Sequence, residues 1–301
     1  MTDLAIETHS LHKSFDDVHA LNGLDMRVPR GAVYGFLGRN GAGKTTTIRL
    51  LAGLAHASSG EMRVLDLDPH IDSVRILERT GVMINRMVLP GMTGNDLARF
   101  NRGFYPRWSD DLLEKYADVL DVPMDRRFRD LSTGNRAKLC LILVLAQGAE
   151  LIMLDEPTSG MDPVVTDQLL RILVEDFASD GRTLFLSSHH LSEVERIADW
   201  IGIIDHGRLL LEAQLDDVRA NFRRVRVAGD VLIGVNTHEI VTTHISEGAT
   251  EYVVRTDAEA FAAGLRSQGA IVLDVAPMCL SDIFLELVGR GRTDVHMEVL
   301  A

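Results

Sequence analysis

One loop governs the architecture of this chain: Gly38-Arg39-Asn40-Gly41-Ala42-Gly43-Lys44-Thr45-Thr46. The apolar, strand-favouring run Ala32–Leu37 precedes it, and the helix-favouring run Ile48–Leu51 follows it. A Gly, four residues and then Gly-Lys-Thr in that context is the pattern of a phosphate-binding loop. Its glycines let backbone N–H groups turn inward as an anion nest, and the new helix directs its positive dipole end to the same place. Lys44 can then reach the β- and γ-phosphates of a nucleotide, and the Thr45 hydroxyl can bind Mg²⁺.

A glycine-rich turn before a helix is the purely structural alternative for this loop. The Lys-Thr pair at the correct offset, with a strand before it and a helix after it, argues against that alternative. The motif predicts nucleotide binding without separating the many families that share it. The residues expected to contact the nucleotide here are Gly38, Asn40, Gly41, Ala42, Gly43, Lys44, Thr45 and Thr46.

Composition narrows the class of partner. The 301 residues include 44 acidic and 31 basic side chains, so the formal net charge is -13. This charge argues against a nucleic-acid backbone as the main partner and favours a nucleotide with Mg²⁺ or another protein. Cys140 and Cys279 lie far apart in the sequence, and we expect both to be core thiols in a reducing cytosol. No uncharged apolar run reaches the roughly 18 residues of a membrane helix, so we expect any membrane contact to be made by another chain.

Apolar strand-like runs alternate with helix-like runs through the first two thirds of the chain. Such alternation predicts a mostly parallel sheet that binds its ligand at the carboxyl ends of the strands. Leu151–Leu154 ends in Asp155 and Glu156, and Thr183–Leu186 ends in two serines and His189. After a phosphate-binding loop, we expect Asp155 to hold Mg²⁺ through water and Glu156 to orient or deprotonate the attacking water. An apolar strand with a polar end is common on its own, so this prediction depends on the loop.

Between Ile71 and about Leu131 the pattern is helical. Thr93 and Asp96 have capping-box spacing, which predicts a helix beginning at Gly94. Aromatic residues follow at helical offsets, and we expect them to form the core of a small helical subdomain rather than a cofactor site. These residues are Phe100, Phe104, Tyr105 and Trp108.

The character of the chain changes near the basic cluster at Asn221–Arg226. Short β-type runs and two helical runs follow, which predicts a small α+β domain. We find no sequence motif in it that indicates a chemical activity. The runs are Val225–Val227, Val231–Val235, Tyr252–Val254 and Ile271–Val275, with helical runs at Ala258–Ser267 and Leu280–Val288. We therefore predict an ATP-binding domain at 1–221, with its helical subdomain at about 86–147, and an accessory domain at 222–301.

These pieces, in this order, resemble the ATP-binding cassette (ABC) family over residues 4 to about 220. Leu131-Ser132-Thr133-Gly134-Asn135 is similar to the LSGGQ signature of that family, with Thr133 in place of Gly and Asn135 in place of Gln. The resemblance implies an α/β P-loop cassette with a mixed, mostly parallel sheet and a helical subdomain, followed here by the small α+β domain. It also implies that Ser132 and Gly134 contact the γ-phosphate of ATP bound to a second subunit.

Other positions follow from the same resemblance. Phe15 matches the aromatic residue that stacks on adenine, Asp162 lies in the D-loop, and His189 matches the histidine that senses the γ-phosphate. Asn85 falls where the family usually carries a glutamine that reaches Mg²⁺ and the attacking water, but its side chain is one methylene shorter. Glu156, His189 and Lys44 are then the expected catalytic residues, with Thr45, Asp155 and Asn85 around the metal.

The sequences of two segments, Phe104–Trp108 and Asp162–Val165, resemble those of the ABC-2 type exporter ATPases. That resemblance implies ATP and Mg²⁺ as ligands, a homodimer, and a separately encoded permease that holds the protein at the inner face of the membrane. One alternative is a soluble ABC ATPase acting on ribosomes or DNA, although such relatives usually carry two cassettes or a coiled-coil insertion. Another alternative is an ATP-gated interaction module with little turnover. A third, a P-loop kinase, is disfavoured by the signature.

Overall fold

The computed structural model describes residues 3–84, 91–178, 181–229, 240–246 and 248–289. The chain divides into two compact units, Met1–Glu212 and Ala213–Ala301. Within the described ranges, every helix is too short or too polar to cross a membrane.

Strands dominate the first unit. The bounds are β1 Leu4–Phe15, β2 Val18–Pro29, β3 Val33–Leu37, β4 Ser59–Val64, β5 Thr80–Met83, β6 Leu151–Asp155, β7 Thr183–Ser188, β8 Trp200–Asp205 and β9 Arg208–Gln214. The helices between them are α1 Lys44–Leu51, α2 Ser73–Leu77, α3 Gly94–Arg102, α4 Asp110–Val119, α5 Thr133–Leu145, α6 Pro163–Ile172 and α7 Leu191–Ile197. A 3-10 turn at Phe128–Asp130 and a π-helical segment at Leu173–Ala178 complete the list.

The central sheet has the strand order β5-β6-β7-β3-β8-β9. β3 lies between β7 and β8 and is parallel to both, as the register of Tyr34 with Phe185 and Trp200 shows. β5, β6 and β7 are also parallel, so the carboxyl ends of β3, β6 and β7 open on the same edge. The rings of Tyr34 and Phe36 lie 5.5 and 5.2 Å from that of Phe185, which fills the core beneath this edge. The predicted parallel sheet is confirmed.

A second sheet, β2-β1-β4, is antiparallel. Leu24, Met26 and Val28 on β2 are fully buried while the residues between them are exposed, which is the alternation of a half-buried strand. The buried residues of this sheet join one hydrophobic core with α1 and the central sheet.

The helical region confirms one prediction and corrects two. α3 begins at Gly94 with a complete capping box, in which Thr93 and Asp96 bond each other's backbone. The helical pattern expected from Ile71 is wrong at Thr80–Met83, where β5 pairs with β6. The expected aromatic core is wrong at Phe100 and Phe104, whose side chains are 58% and 60% exposed. α3 ends at Arg102, so the helical offsets do not place these rings on one buried face.

The second unit is a four-stranded antiparallel sheet with the order β11-β12-β10-β13. Its strands are β10 Phe222–Ala228, β11 Ile240–Ser246, β12 Ala249–Arg255 and β13 Val272–Pro277, and its helices are α8 Leu215–Asn221, α9 Ala258–Ser267 and α10 Leu280–Gly289. Phe261 and Leu265 of α9 pack on Val225 and Tyr252 of the sheet. This architecture confirms the predicted α+β character, while the run Val231–Val235 lies outside the described residues.

The two cysteines differ. Cys140 on α5 is buried, as expected, and burial raises its pKa to about 11. Cys279 is exposed, so the expectation that it is a core thiol is wrong.

Candidate functional site

The loop between β3 and α1 has the backbone that its glycines were expected to provide. Gly41 and Gly43 have φ of 84° and 114°, a region that disfavours other residues. A Cβ on Gly38 would stand 2.6 Å from the carbonyl oxygen of Ile204, so only glycine fits there. The first helical residue is Lys44, which is 5% exposed. Its Nζ donates to the carbonyl oxygens of Gly38 at 2.6 Å and Arg39 at 3.2 Å. The loop therefore folds around its own lysine.

Asp155 stands at the end of β6 directly beside the start of α1. It is only 2% exposed, and its two carboxylate oxygens accept hydrogen bonds from different hydroxyl groups. Thr45 Oγ1 donates to Oδ2 at 2.7 Å, and Ser187 Oγ donates to Oδ1 at 2.6 Å. These contacts satisfy a buried charge that would otherwise be costly to desolvate.

The Glu156 carboxylate lies between the side chains of Lys44 and His189. Its Oε1 lies 3.2 Å from Lys44 Nζ, and its Oε2 lies 3.0 Å from His189 Nδ1. Glu156 has a φ of 49°, which is uncommon for a residue with a side chain, and its N–H donates to Ser187. The structure thus brings together the three residues expected to be catalytic, although Lys44 begins α1, Glu156 follows β6 and His189 follows β7.

An open cavity of about 320 Å³ lies over the loop. Among the residues expected at the site, the cavity is lined by Asn40, Gly41, Gly43, Lys44, Thr45, Thr46, Asp155 and Glu156. Ala42 is 3% exposed, and it joins the site through its backbone: its N–H donates to Arg39 and its carbonyl accepts from Gly207. Gly38 likewise contributes its carbonyl to Lys44.

Sequence reasoning missed several residues of this cavity. Val18, His19 and Ala20, at the start of β2, form one of its walls, and Arg39 forms part of another. Arg39 is held by Asp205, the last residue of β8, through a 3.0 Å ion pair. No local pattern marks these positions, since the strands reach the loop only through the fold. Ser187, the residue before the last of β7, was also missed as a partner of Asp155.

Four further predicted residues that the structure describes are not among those that line this cavity. Phe15 ends β1 with a 47%-exposed ring, and Lys13 Nζ is 4.6 Å from the ring centre. Ser132 caps α5 by accepting from the N–H of Asn135, and Asp162 caps α6 in the same manner. A Cβ added to Gly134 would meet no heavy atom of the described chain within 4 Å. Asn85 lies outside the described residues.

Known proteins that are similar to this chain are ATP-binding proteins of transport systems. A family model described as ABC transporter matches residues 21–159. The chain is 28% identical to "ABC transporter ATP-binding protein YtrB" of Bacillus subtilis strain 168, over 95% of this chain and 99% of that protein. It is 32% identical to "Bacitracin transport ATP-binding protein BcrA" of Enterococcus faecalis, over 74% and 73% of the two chains. It is 36% identical to "Daunorubicin/doxorubicin resistance ATP-binding protein DrrA" of Streptomyces peucetius, over 72% and 67%.

Solved structures support the fold. An ATP-binding subunit of an ABC transporter superposes with a TM-score of 0.65 at 23% identity, covering 72% of this chain and 92% of that one. The dimeric bacterial ABC transporter cassette MJ0796 superposes with a TM-score of 0.63 at 18% identity, covering 70% and 98%. The shared fold is the α/β cassette that the sequence predicted.

Proposed function

Because this chain belongs to the ABC transporter family of ATP-binding subunits, we propose that it binds and hydrolyses ATP to drive a separately encoded membrane permease. The observation that carries the proposal is the chain of contacts from Lys44 through Glu156 to His189, placed at the mouth of a phosphate-binding loop. A cation for the phosphates, a carboxylate for water and a second polar group beside it are the parts that phosphoryl transfer to water requires.

Triphosphate binding follows from the loop. Backbone N–H groups at the start of α1 and the buried ammonium of Lys44 converge on the cavity, in an environment where charge-assisted hydrogen bonds are strong. Lys44 is held by carbonyl oxygens and Glu156 in the present arrangement, so it is already oriented toward the cavity when phosphates arrive. Arriving phosphates would replace Glu156 as the anionic partner of Lys44.

The oxygen donors of the site fit Mg²⁺. The Thr45 hydroxyl and the Asp155 carboxylate lie 2.7 Å apart and are hard oxygen ligands. No group of three or more His, Cys, Asp or Glu side chains in the described ranges could hold a metal alone, so phosphate oxygens and water would complete the coordination. When bound, Mg²⁺ would neutralise phosphate charge, with Thr45 as a protein ligand, Asp155 holding the ion through water, and Asn85 a further residue proposed near the ion.

Glu156 is the proposed general base. Its carboxylate can accept a proton from water, while His189 holds the other carboxylate oxygen and fixes its orientation. Binding of phosphates by Lys44 would release Oε1 of Glu156 toward that water. Hydrolysis is thereby coupled to occupancy of the loop.

The second subunit would complete the site. Ser132 and Gly134 lie at the start of α5, outside the cavity of their own chain, and Asp162 lies at the start of α6. We propose that two copies face each other head to tail. ATP bound to the loop of one copy, beside Phe15 of that copy, would be enclosed by Ser132, Gly134 and Asp162 of the other. Transport relatives such as BcrA and DrrA support an exporter role, with the protein held at the inner face of the membrane by its permease.

Steady-state phosphate release by the purified protein tests the proposal. Glu156→Gln should bind ATP but lower turnover by about 100-fold or more, the usual worth of a general base. Lys44→Ala should weaken ATP binding by about 10- to 100-fold, since it removes a charge-assisted phosphate contact. Arg49→Ala, on the same helix, is the matched control. ATP affinity unaffected by Lys44→Ala would contradict the loop assignment, and unaltered turnover in Glu156→Gln would contradict the base.

A further inference from the structure

The first three residues of β2 form a wall of the cavity that has no assigned role. Val18, His19 and Ala20 line the same cavity as the residues of the phosphate-binding loop. This wall is joined closely to the loop. The carbonyl oxygen of Ala20 lies 2.7 Å from where a Cβ on Gly43 would stand, so glycine at 43 is what permits the approach.

Backbone hydrogen bonds fix the same wall from a second direction. The N–H of Asn22 donates to the carbonyl of Gly207 at 2.9 Å, and the N–H of Gly207 donates to the carbonyl of Ala42 at 3.0 Å. The wall, the β8–β9 turn and the phosphate-binding loop are therefore linked without any long side chain. A side chain on this wall keeps a defined distance from whatever the loop holds.

His19 is oriented on that wall by Ser14. The two residues are paired across β1 and β2, and Ser14 Oγ lies 2.8 Å from His19 Nδ1. Ser14 is fixed in turn, because its N–H donates to Ser58 Oγ at 3.0 Å. The bond uses Nδ1, which leaves Nε2 without a hydrogen-bond partner in the described part of the chain and available to a ligand.

The chemistry of the cavity suggests what Nε2 meets. Loop amides and Lys44 suit the phosphates, and Phe15, which pairs with Val18 of this wall across the β1–β2 turn and is 47% exposed, is the residue proposed to stack on the base. The sugar of a nucleotide lies between its base and its phosphates, and an imidazole nitrogen can donate to or accept from a hydroxyl group. We infer that His19 binds a ribose hydroxyl of the nucleotide through Nε2, with Ser14 as a positioning residue. This inference rests on the proposed function.

Equilibrium binding by the full-length protein, with Mg²⁺, tests the inference. The ligands are ATP, 2′-deoxy-ATP, 3′-deoxy-ATP and tripolyphosphate, which lacks the nucleoside. Wild type should bind one deoxy analogue about three- to tenfold more weakly than ATP, the size of one neutral hydrogen bond. His19→Ala should weaken ATP by a similar factor, remove the preference for ATP over that analogue, and leave tripolyphosphate unchanged.

Two further variants separate positioning from folding. Ser14→Ala should reduce the preference for ATP over the deoxy analogue, and Ser14→Thr, which keeps the hydroxyl, should restore it. His9→Ala is the control: it removes an exposed histidine of β1 and should bind every ligand as wild type does. Thermal unfolding of each variant identifies any that is misfolded, and the Ser14 pair then carries the test.

The outcomes distinguish this inference from the proposed function. If wild type binds ATP and tripolyphosphate but His19→Ala keeps the full preference for ATP over both deoxy analogues, the assignment of His19 is overturned and the proposed function stands. If His19→Ala weakens tripolyphosphate as much as ATP, a sugar contact is also overturned. If wild type binds neither ATP nor tripolyphosphate, the proposed function itself fails.

Discussion

Asp155 shows how much of the site depends on single hydroxyl groups. Its buried carboxylate is satisfied by Thr45 on one side and Ser187 on the other, and Ser187 Oγ also accepts the N–H of Glu156. The loop motif predicted Thr45, and the apolar strand with a polar end predicted Asp155. Ser187 could not be assigned in the same way, because its contact depends on the pairing of β6 with β7.

Ser187→Ala should therefore cost both stability and Mg²⁺ affinity. It removes a hydrogen bond to a buried charge, so we expect the free energy of unfolding to fall by about 1.5–3 kcal/mol. Urea unfolding measures the loss of stability, and the Mg²⁺ dependence of ATP binding measures the loss of Mg²⁺ affinity. Ser188→Ala is the control, since Ser188 is equally buried but bonds the N–H of His190. Equal Mg²⁺ requirements in both variants would refute the role of Ser187.

The two cysteines should react at very different rates. Burial raises the pKa of Cys140 to about 11, so about one thiol in a thousand is ionised at pH 8, whereas Cys279 is exposed. We expect a thiol reagent at pH 8 to label one cysteine rapidly in the folded protein and two in urea. Cys279→Ser should abolish the rapid phase. Two rapid thiols in the folded protein would contradict the burial of Cys140.

At the level of elements, the apolar strands and the helix caps were predictable, and the short or exposed segments were not. β3, β6, β7 and β8 are continuous apolar runs with clear ends, and the Thr93–Asp96 pair marks the start of α3 by local chemistry. β5 is four residues long and has no alternation of its own, so its pairing with β6 decides its conformation. The prediction of an aromatic core was wrong at Phe100 and Phe104 because residue spacing alone does not determine where α3 ends.

Glu150 gives a pH test of the sheet at the opposite, amino ends of the strands. It precedes β6 and pairs with Arg79, which precedes β5, through two hydrogen bonds of 3.1 and 2.7 Å. The Arg79 guanidinium, with Arg107, holds the pKa of Glu150 below its usual 4.5. Because the folded state favours the ionised form, this pair stabilises the protein above about pH 4.5, and the contribution is lost as the pH falls through the lowered pKa.

Glu150→Gln should accordingly be less stable than wild type at pH 6, with the difference shrinking toward pH 3.5. Urea unfolding at several pH values measures the difference. Glu61→Gln, at an exposed position on β4, should differ little from wild type at pH 6. A gap between wild type and Glu150→Gln that widens at low pH would show that the ion pair is not stabilising.

For the whole molecule, the loop, the Asp-Glu strand and the signature could all be located from the sequence, because each is a local pattern. The wall containing His19 could not, because three separate turns must meet before it borders the loop. The domain boundary at 221/222 came from a change of composition, whereas the compact units divide between Glu212 and Ala213. The assignment of 222–301 as an accessory domain stays a prediction.

The central proposal is that two copies share each ATP, and Gly134 offers a direct way to disturb only that contact. A Cβ there meets no heavy atom of the described chain within 4 Å, so Gly134→Asp should leave the protomer folded. The new carboxylate would face the γ-phosphate of the opposed site and repel it. The same change should leave ATP binding to the isolated protomer intact.

Sedimentation of Glu156→Gln with ATP and Mg²⁺ tests the account most directly. The chain has a mass of 33.2 kDa. We predict that the mass doubles when ATP is added, that it stays at the protomer value without nucleotide, and that adding Gly134→Asp abolishes the doubling while ATP still binds. A protein that binds ATP yet remains a monomer, or a dimer indifferent to both ATP and Gly134→Asp, would contradict the shared site.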